Sequence, residues 1–218
     1  MADLASCRSA LITVGRLAAA RGLVWGTRGN ISARLDATTF LITASGTTLD
    51  QLQASSFVVC DLDGEPGEPP RASSEIQLHR RIYQRRPDVK AVLHLSPFWA
   101  TLAACLDLPL PTDVTPESML YLGQVVRVPY IQPGTDALGL KTAELLGEAG
   151  SVALLENHGA VTVGATPADA WRRMETLEFL CRLVLTARTM QLPLRRVGEE
   201  AAEALRRSAY RRAHQGDH

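Results

Sequence analysis

Short apolar runs of strand length alternate with segments of helical periodicity along nearly the whole chain, and this interleaving restricts the fold more than any other feature. Runs at 31–35, 40–43, 57–62, 91–95, 125–130, 152–155 and 160–163 have the length and composition of strands. Between them, apolar residues at helical spacing (Leu4, Cys7, Leu11, Val14, Ala18) predict a first helix that stops at Gly22. Ser73 or Ser74 predicts the cap of a second helix, with Glu75 in its first turn and Pro87 ending it. Further helices are predicted over 97–106, 136–146 and 199–212. Another starts at the cap, proline and acid of Thr166-Pro167-Ala168-Asp169 and runs to about Met190. Pro109, Pro111 and Pro116 make the section between 106 and 125 read as a punctuated connection. No repeat is visible and no linker splits the chain. The expectation is one layered α/β domain over residues 1–218, with a disordered tail from about 213.

A chain of 218 residues, 46% of them hydrophobic, can bury a substantial core. Lys and Arg total 23 and Asp and Glu total 23, so bulk charge argues for neither nucleic acid nor an anionic membrane as partner. Cys7, Cys60, Cys105 and Cys181 are far apart and lack CxxC spacing, which predicts buried reduced thiols. No apolar run approaches the ~20 residues of a membrane span, and the N-terminus lacks a signal-peptide pattern. A cytoplasmic protein is expected.

Chemistry concentrates at three element boundaries. One is Ala91-Val92-Leu93-His94-Leu95-Ser96-Pro97, a strand that stops abruptly after a histidine. The others are Ser73-Ser74-Glu75 and Glu156-Asn157-His158-Gly159. Each residue alone has an ordinary structural explanation: a satisfied histidine at a strand end, a tight Asn-His-Gly turn, or a carboxylate favoured by a helix dipole. Together, His94, His158 and Glu75 are the ligand set that a zinc-like divalent ion accepts. Asn30, Ser45, Gly46, Ser73 and Ser74 sit in loops at element ends. Their hydroxyls, amide and backbone N–H groups suit a small phosphate.

The ordered motifs Thr27-Arg28-Gly29-Asn30-Ile31-Ser32, Ile42-Thr43-Ala44-Ser45-Gly46, Ser73-Ser74-Glu75, Ala91-Val92-Leu93-His94, Tyr121-Leu122-Gly123, Val128-Pro129-Tyr130, Pro133-Gly134-Thr135 and Glu156-Asn157-His158-Gly159 carry a family resemblance. The chain resembles the class II aldolase/adducin family, which includes fuculose-phosphate aldolase and ribulose-phosphate 4-epimerase. The resemblance implies a three-layer α/β/α fold with a central mixed sheet, assembled as a homotetramer. It also implies a divalent ion, Zn(2+) first and Mn(2+) or Co(2+) as alternatives. By position, His94 and His158 match metal ligands. Glu75 matches the acid/base carboxylate, which can also touch the metal. Asn30, Ser45, Gly46, Ser73 and Ser74 match phosphate-binding positions, with Thr27 a weaker match. The implied activity is an aldehyde-lyase that cleaves a small sugar phosphate through a metal-stabilised enediolate, with Glu75 moving the proton. No Schiff-base lysine is required, and the only lysines are Lys90 and Lys141.

The family's metal histidines include a His-x-His pair, and this chain has Ser96 at the second position. Three outcomes stay open: a site of His94, His158 and Glu75; a ligand recruited from elsewhere; or no metal. Glu117 or Tyr121 is a candidate to meet the aldehyde, and Tyr210 is the candidate for a C-terminal tyrosine that serves a neighbouring subunit. His79 reads as a packing or solvent-facing residue of the second helix. A non-catalytic, adducin-like assembly or binding protein competes with the lyase, as does a related decarboxylase or epimerase of phosphorylated sugars or sugar acids.

Overall fold

In the computed structural model, which describes residues 3–64 and 71–215, the strand-length runs assemble into a seven-stranded sheet. The strands are β1 (Asn30–Arg34), β2 (Thr39–Thr43), β3 (Phe57–Asp61), β4 (Ala91–Leu95), β5 (Val125–Val128), β6 (Val152–Leu155) and β7 (Gly159–Gly164). Their order across the sheet is β3-β2-β1-β4-β7-β6-β5. Neighbours are antiparallel except β5 and β6, which are parallel, so the sheet is mixed.

Alternation along the strands divides the core in two. Ile31 and Ala33 of β1 and Leu93 and Leu95 of β4 pack with α1 (Leu4–Ala20), α3 (Phe98–Ala104) and α6 (Pro167–Thr189). Val92 of β4, Phe40 and Ile42 of β2, and Val161 and Val163 of β7 pack on the other face, with α2 (Ile76–Arg85) and α5 (Asp136–Leu146). β4 is buried along its whole length. The result is a three-layer α/β/α fold around a central mixed sheet.

Several sequence expectations need correction. α2 begins at Ile76, so Glu75 occupies the N-cap position instead of the first turn, and its side chain makes no capping bond. Ser73 Oγ instead accepts from Glu75 N at 3.3 Å. That leaves the Glu75 carboxylate free to turn inward. The connection read between 106 and 125 contains α4 (Pro116–Tyr121), started by a Thr115–Ser118 capping box with proline in the first turn. β5 stops at Val128, before Pro129. Three of the cysteines are buried, but Cys105 is exposed. The last helix, α7 (Glu199–Gln215), runs past 213; the expectation of disorder otherwise falls on 216–218, outside the described residues.

The hairpin joining β6 to β7 carries His158, and two backbone features aim it. Asn157 takes a positive φ of 56°, a conformation that asparagine tolerates. A Cβ on Gly159 would lie 2.6 Å from Leu95 O and 3.1 Å from Ser96 Oγ, so only glycine lets the hairpin close on the end of β4. Gly159→Ala is therefore expected to lower unfolding free energy by about 1–3 kcal/mol in urea titration. It should also displace His158, because the backbone rather than a flexible side chain must move.

Candidate metal centre

The site forms where three backbone segments meet at the C-terminal end of β4. β1 and β4 run antiparallel with Asn30 opposite His94, so these two side chains lie side by side on the α2 face of the sheet. α2 starts directly over that position and delivers Glu75. The β6–β7 hairpin closes from the other side, with Leu95 opposite Ala160.

Glu75, His94 and His158 each offer a ligand atom, and these atoms all lie within 4.8 Å of one another. Glu75 Oε2 is 2.7 Å from His94 Nδ1, and Oε1 is 3.3 Å from His158 Nε2. The imidazole rings meet edge to face with centroids 4.7 Å apart. The Glu75 side chain is only 12% exposed and that of His94 only 3%. Burial pushes the Glu75 carboxyl up. The charge of His94 and polar contacts from His158, His94 and Asn30 outweigh it, holding the group well below the usual carboxylate range.

The arrangement fits a divalent ion. Glu75 Oε1, both nitrogens of His94 and Nδ1 of His158 are buried without a well-aligned hydrogen-bond partner. Native interiors rarely leave that many polar atoms unpaired in one place, and a shared cation that took one atom from each of the three residues would satisfy part of them. Two imidazoles and a carboxylate are also an established ligand set for such ions. Ser96 is buried beside them and lines the same cleft.

That cleft measures about 570 Å³. Its walls include Thr27–Asn30, Ser45, Gly46, Ser73, Ser74, Gly134 and the three metal-ligand candidates. A short β-bridge between Ala44 and Ala72, with Ser45 N donating to Arg71 O and Ser73 N to Thr43 O, pulls the two serine loops together. All the phosphate-binding candidates thus share one cleft with Glu75, His94 and His158. Clefts of about 850 and 780 Å³ also occur among the described residues, and neither contains the histidine pair.

Some candidates lie elsewhere. Glu117 lines the cleft of about 780 Å³ with Phe98, Trp99 and Phe179, not the Glu75 cleft of the same chain. The reason is α4, unread in the sequence, which packs against α6 and α7. Tyr121 lies under the Arg172 guanidinium, 5.3 Å from the ring centroid, and also does not line the Glu75 cleft. Tyr210 falls on α7, and its side chain is outside the described residues.

Two residues given no site role by the sequence reading do belong here. Arg28 lines the cleft and stacks over Trp25 at 4.7 Å. Among the described residues it is the one arginine or lysine in the lining. His79 is completely buried and hydrogen-bonded to Ser32 and Asn30. It follows Glu75 by four residues, the spacing that puts two side chains on one helix face, and that was the available signal.

Residues 9–185 match the class II aldolase and adducin N-terminal domain. The chain belongs to the class II aldolase and adducin family. It is 32% identical to the 3-oxo-tetronate 4-phosphate decarboxylase of Haemophilus influenzae over 192 residues, 85% of this chain and 90% of that one. It is also 32% identical to the L-fuculose phosphate aldolase of Methanococcus maripaludis over 174 residues, 79% of this chain and 92% of that one. A putative aldolase/epimerase/decarboxylase from Klebsiella pneumoniae superposes with a TM-score of 0.86 at 30% identity, covering 94% of this chain and all of that one. Class II aldolases use a divalent metal, and the Glu75–His94–His158 cluster is where this member of the family could hold one. Among the described residues, no helix is long and apolar enough to cross a membrane.

Structural zinc sites bind with about 10–16 kcal/mol, or roughly 3 kcal/mol per ligand. His94→Ala and His158→Ala should therefore each weaken Co(2+) binding about a hundredfold in calorimetric titration. Ser96→Ala should change it far less.

Proposed function

We propose that the chain is a metal-dependent carbon–carbon lyase that cleaves a small phosphorylated sugar between the carbons α and β to its carbonyl group. The observation that carries this reading is the shared cleft, which places Glu75, His94 and His158 against the Ser45–Gly46 and Ser73–Ser74 loops. His94, His158 and Glu75 would hold the ion. When bound, a divalent ion supplies Lewis-acid polarisation of the substrate carbonyl, which favours the charge that builds as the bond breaks.

The chain's own residues do the rest. The Ser45, Ser73 and Ser74 hydroxyls and the backbone N–H of Gly46 receive the phosphate, with the positive-φ glycine opening the turn. That anchoring fixes the reacting carbon relative to Glu75. Glu75, a carboxylate held in its charged form, takes up the proton that the β-hydroxyl releases as the departing carbon becomes an aldehyde, and delivers it to the α carbon. Zn(2+) is the ion expected first from the ligand set, with Mn(2+) and Co(2+) as alternatives.

A second reading, decarboxylation of a phosphorylated 3-oxo sugar acid, is favoured by Arg28. Such a substrate carries a carboxylate in addition to its phosphate. The cleft offers Arg28 for one anion and the serine loops for the other. The named activity of the Haemophilus influenzae relative is of this kind.

Incubation of the metal-loaded chain with L-fuculose 1-phosphate and, separately, with 3-oxo-tetronate 4-phosphate tests the reading. An aldehyde product supports the aldolase, and CO2 release supports the decarboxylase. Glu75→Gln should lower kcat by about 10²–10⁴ on whichever substrate turns over. Arg28→Ala should raise KM chiefly for the carboxylated one. Absence of turnover on either, with metal bound, would defeat the lyase reading. Assembly as a tetramer belongs to the same proposal, and light scattering should then return four times the 23.6 kDa chain mass.

A further inference from the structure

A buried hydrogen-bond chain runs from the inner end of α2 to the Glu75 carboxylate. Tyr83 Oη lies 2.8 Å from Ser32 Oγ, and Ser32 Oγ lies 2.6 Å from His79 Nδ1. His79 Nε2 lies 2.5 Å from Asn30 Oδ1, and Asn30 Nδ2 donates to Glu75 Oε2 at 3.0 Å. Tyr83, Ser32, His79 and Asn30 are all buried. β1 and α2 supply them in matching periods: Asn30 and Ser32 two apart on one strand face, His79 and Tyr83 four apart on one helix face.

The chemistry of the terminal group fixes every proton in this chain. An ionised carboxylate can only accept, so the Asn30 amide must turn its NH2 towards Glu75. Its oxygen then faces His79, so His79 Nε2 carries the hydrogen. Nδ1 is left as an acceptor for the Ser32 hydroxyl, whose oxygen in turn accepts from the Tyr83 phenol. Burial, helped by the nearby His94 and opposed by Glu75, pushes His79 down to about 3, in keeping with a neutral ring. Burial likewise keeps the Tyr83 phenol protonated by raising it.

We infer that Tyr83, Ser32, His79 and Asn30 form a one-way donor chain that orients the Glu75 carboxylate towards His94 and His158, with His79 and Asn30 as its positioning residues. The inference rests on the reading of Glu75 as metal ligand and proton carrier. It adds Tyr83, Ser32 and His79, none of which lines the cleft. Asn30, placed among the phosphate candidates by family resemblance, has its oxygen and one amide hydrogen committed to this chain. Only its second amide hydrogen remains for a ligand.

The test begins with the metal-free protein, using long-range ¹H–¹⁵N NMR of the imidazoles at neutral pH. His79 is expected as the pure Nε2–H tautomer, and Asn30→Ala, which removes the acceptor that holds that hydrogen and leaves only the amphoteric Ser32 hydroxyl, should convert it to a mixture. A wild-type Nδ1–H tautomer, or no response to Asn30→Ala, overturns the chain. Co(2+) titration then separates positioning from packing. His79→Leu should weaken binding about 10–100-fold, as loss of an outer-sphere partner does. His79→Gln, whose amide can still donate to Asn30, should recover most of that loss. Equal cobalt affinity in folded His79→Leu and wild type overturns the positioning role. Failure of wild type itself to bind cobalt would sink the metal reading, while the tautomer still decides the hydrogen-bond chain.

Discussion

β4 is the constraint from which the rest of the structure hangs. It is buried on both faces, it lies between β1 and β7, and it ends where the sheet core ends. Strand alternation makes Leu93 and Leu95 core residues of the α1–α3–α6 layer and turns His94 towards α2. A register slip of one residue would bury the imidazole among leucines and put Leu95 in the cleft. Pairing with β1 then sets Asn30 beside His94, and the close approach at Gly159 sets the hairpin that carries His158. The positions of the candidate ligands follow from packing that has nothing to do with catalysis.

Glu75 is the electrostatic counterpart of that constraint. A carboxylate this deep is costly unless it is paired. Here two imidazoles and the Asn30 amide surround it, and the N-terminus of α2 adds a favourable dipole. Its position as N-cap without a capping bond is part of the same arrangement. The carboxylate forgoes the backbone partner it would ordinarily take and faces the histidines. Local helix chemistry gives way to the site, and Ser73 takes up the Glu75 N–H instead.

Much of this was legible in the sequence, for identifiable reasons. The strands announced themselves by short apolar runs, and α6 by a threonine cap with a first-turn proline and acid. α4 carries the same kind of signal in Thr115-Pro116-Glu117, but the nearby Pro109 and Pro111 drew it into a loop. Glu117, on that helix, therefore lines a different cleft of the chain from Glu75. Glu75, His94 and His158 were legible because each sits at an element boundary with motif neighbours. His79 was not, because its partners Asn30 and Ser32 lie 49 and 47 residues away on another strand, and spacing along one helix cannot show them. Arg28 stood in a motif that was read for Asn30 and Thr27, and its stacking over Trp25 while it lines the cleft is a tertiary feature that the motif does not show.

The account turns on whether the Glu75–His94–His158 cluster holds a metal with a serine, not a third histidine, at position 96. The most direct measurement is an anomalous difference map from crystals of the chain grown with cobalt, collected on both sides of the metal's absorption edge. The account predicts one strong peak within bonding distance of Glu75, His94 and His158. No peak there, or a peak that excludes Glu75, would contradict it.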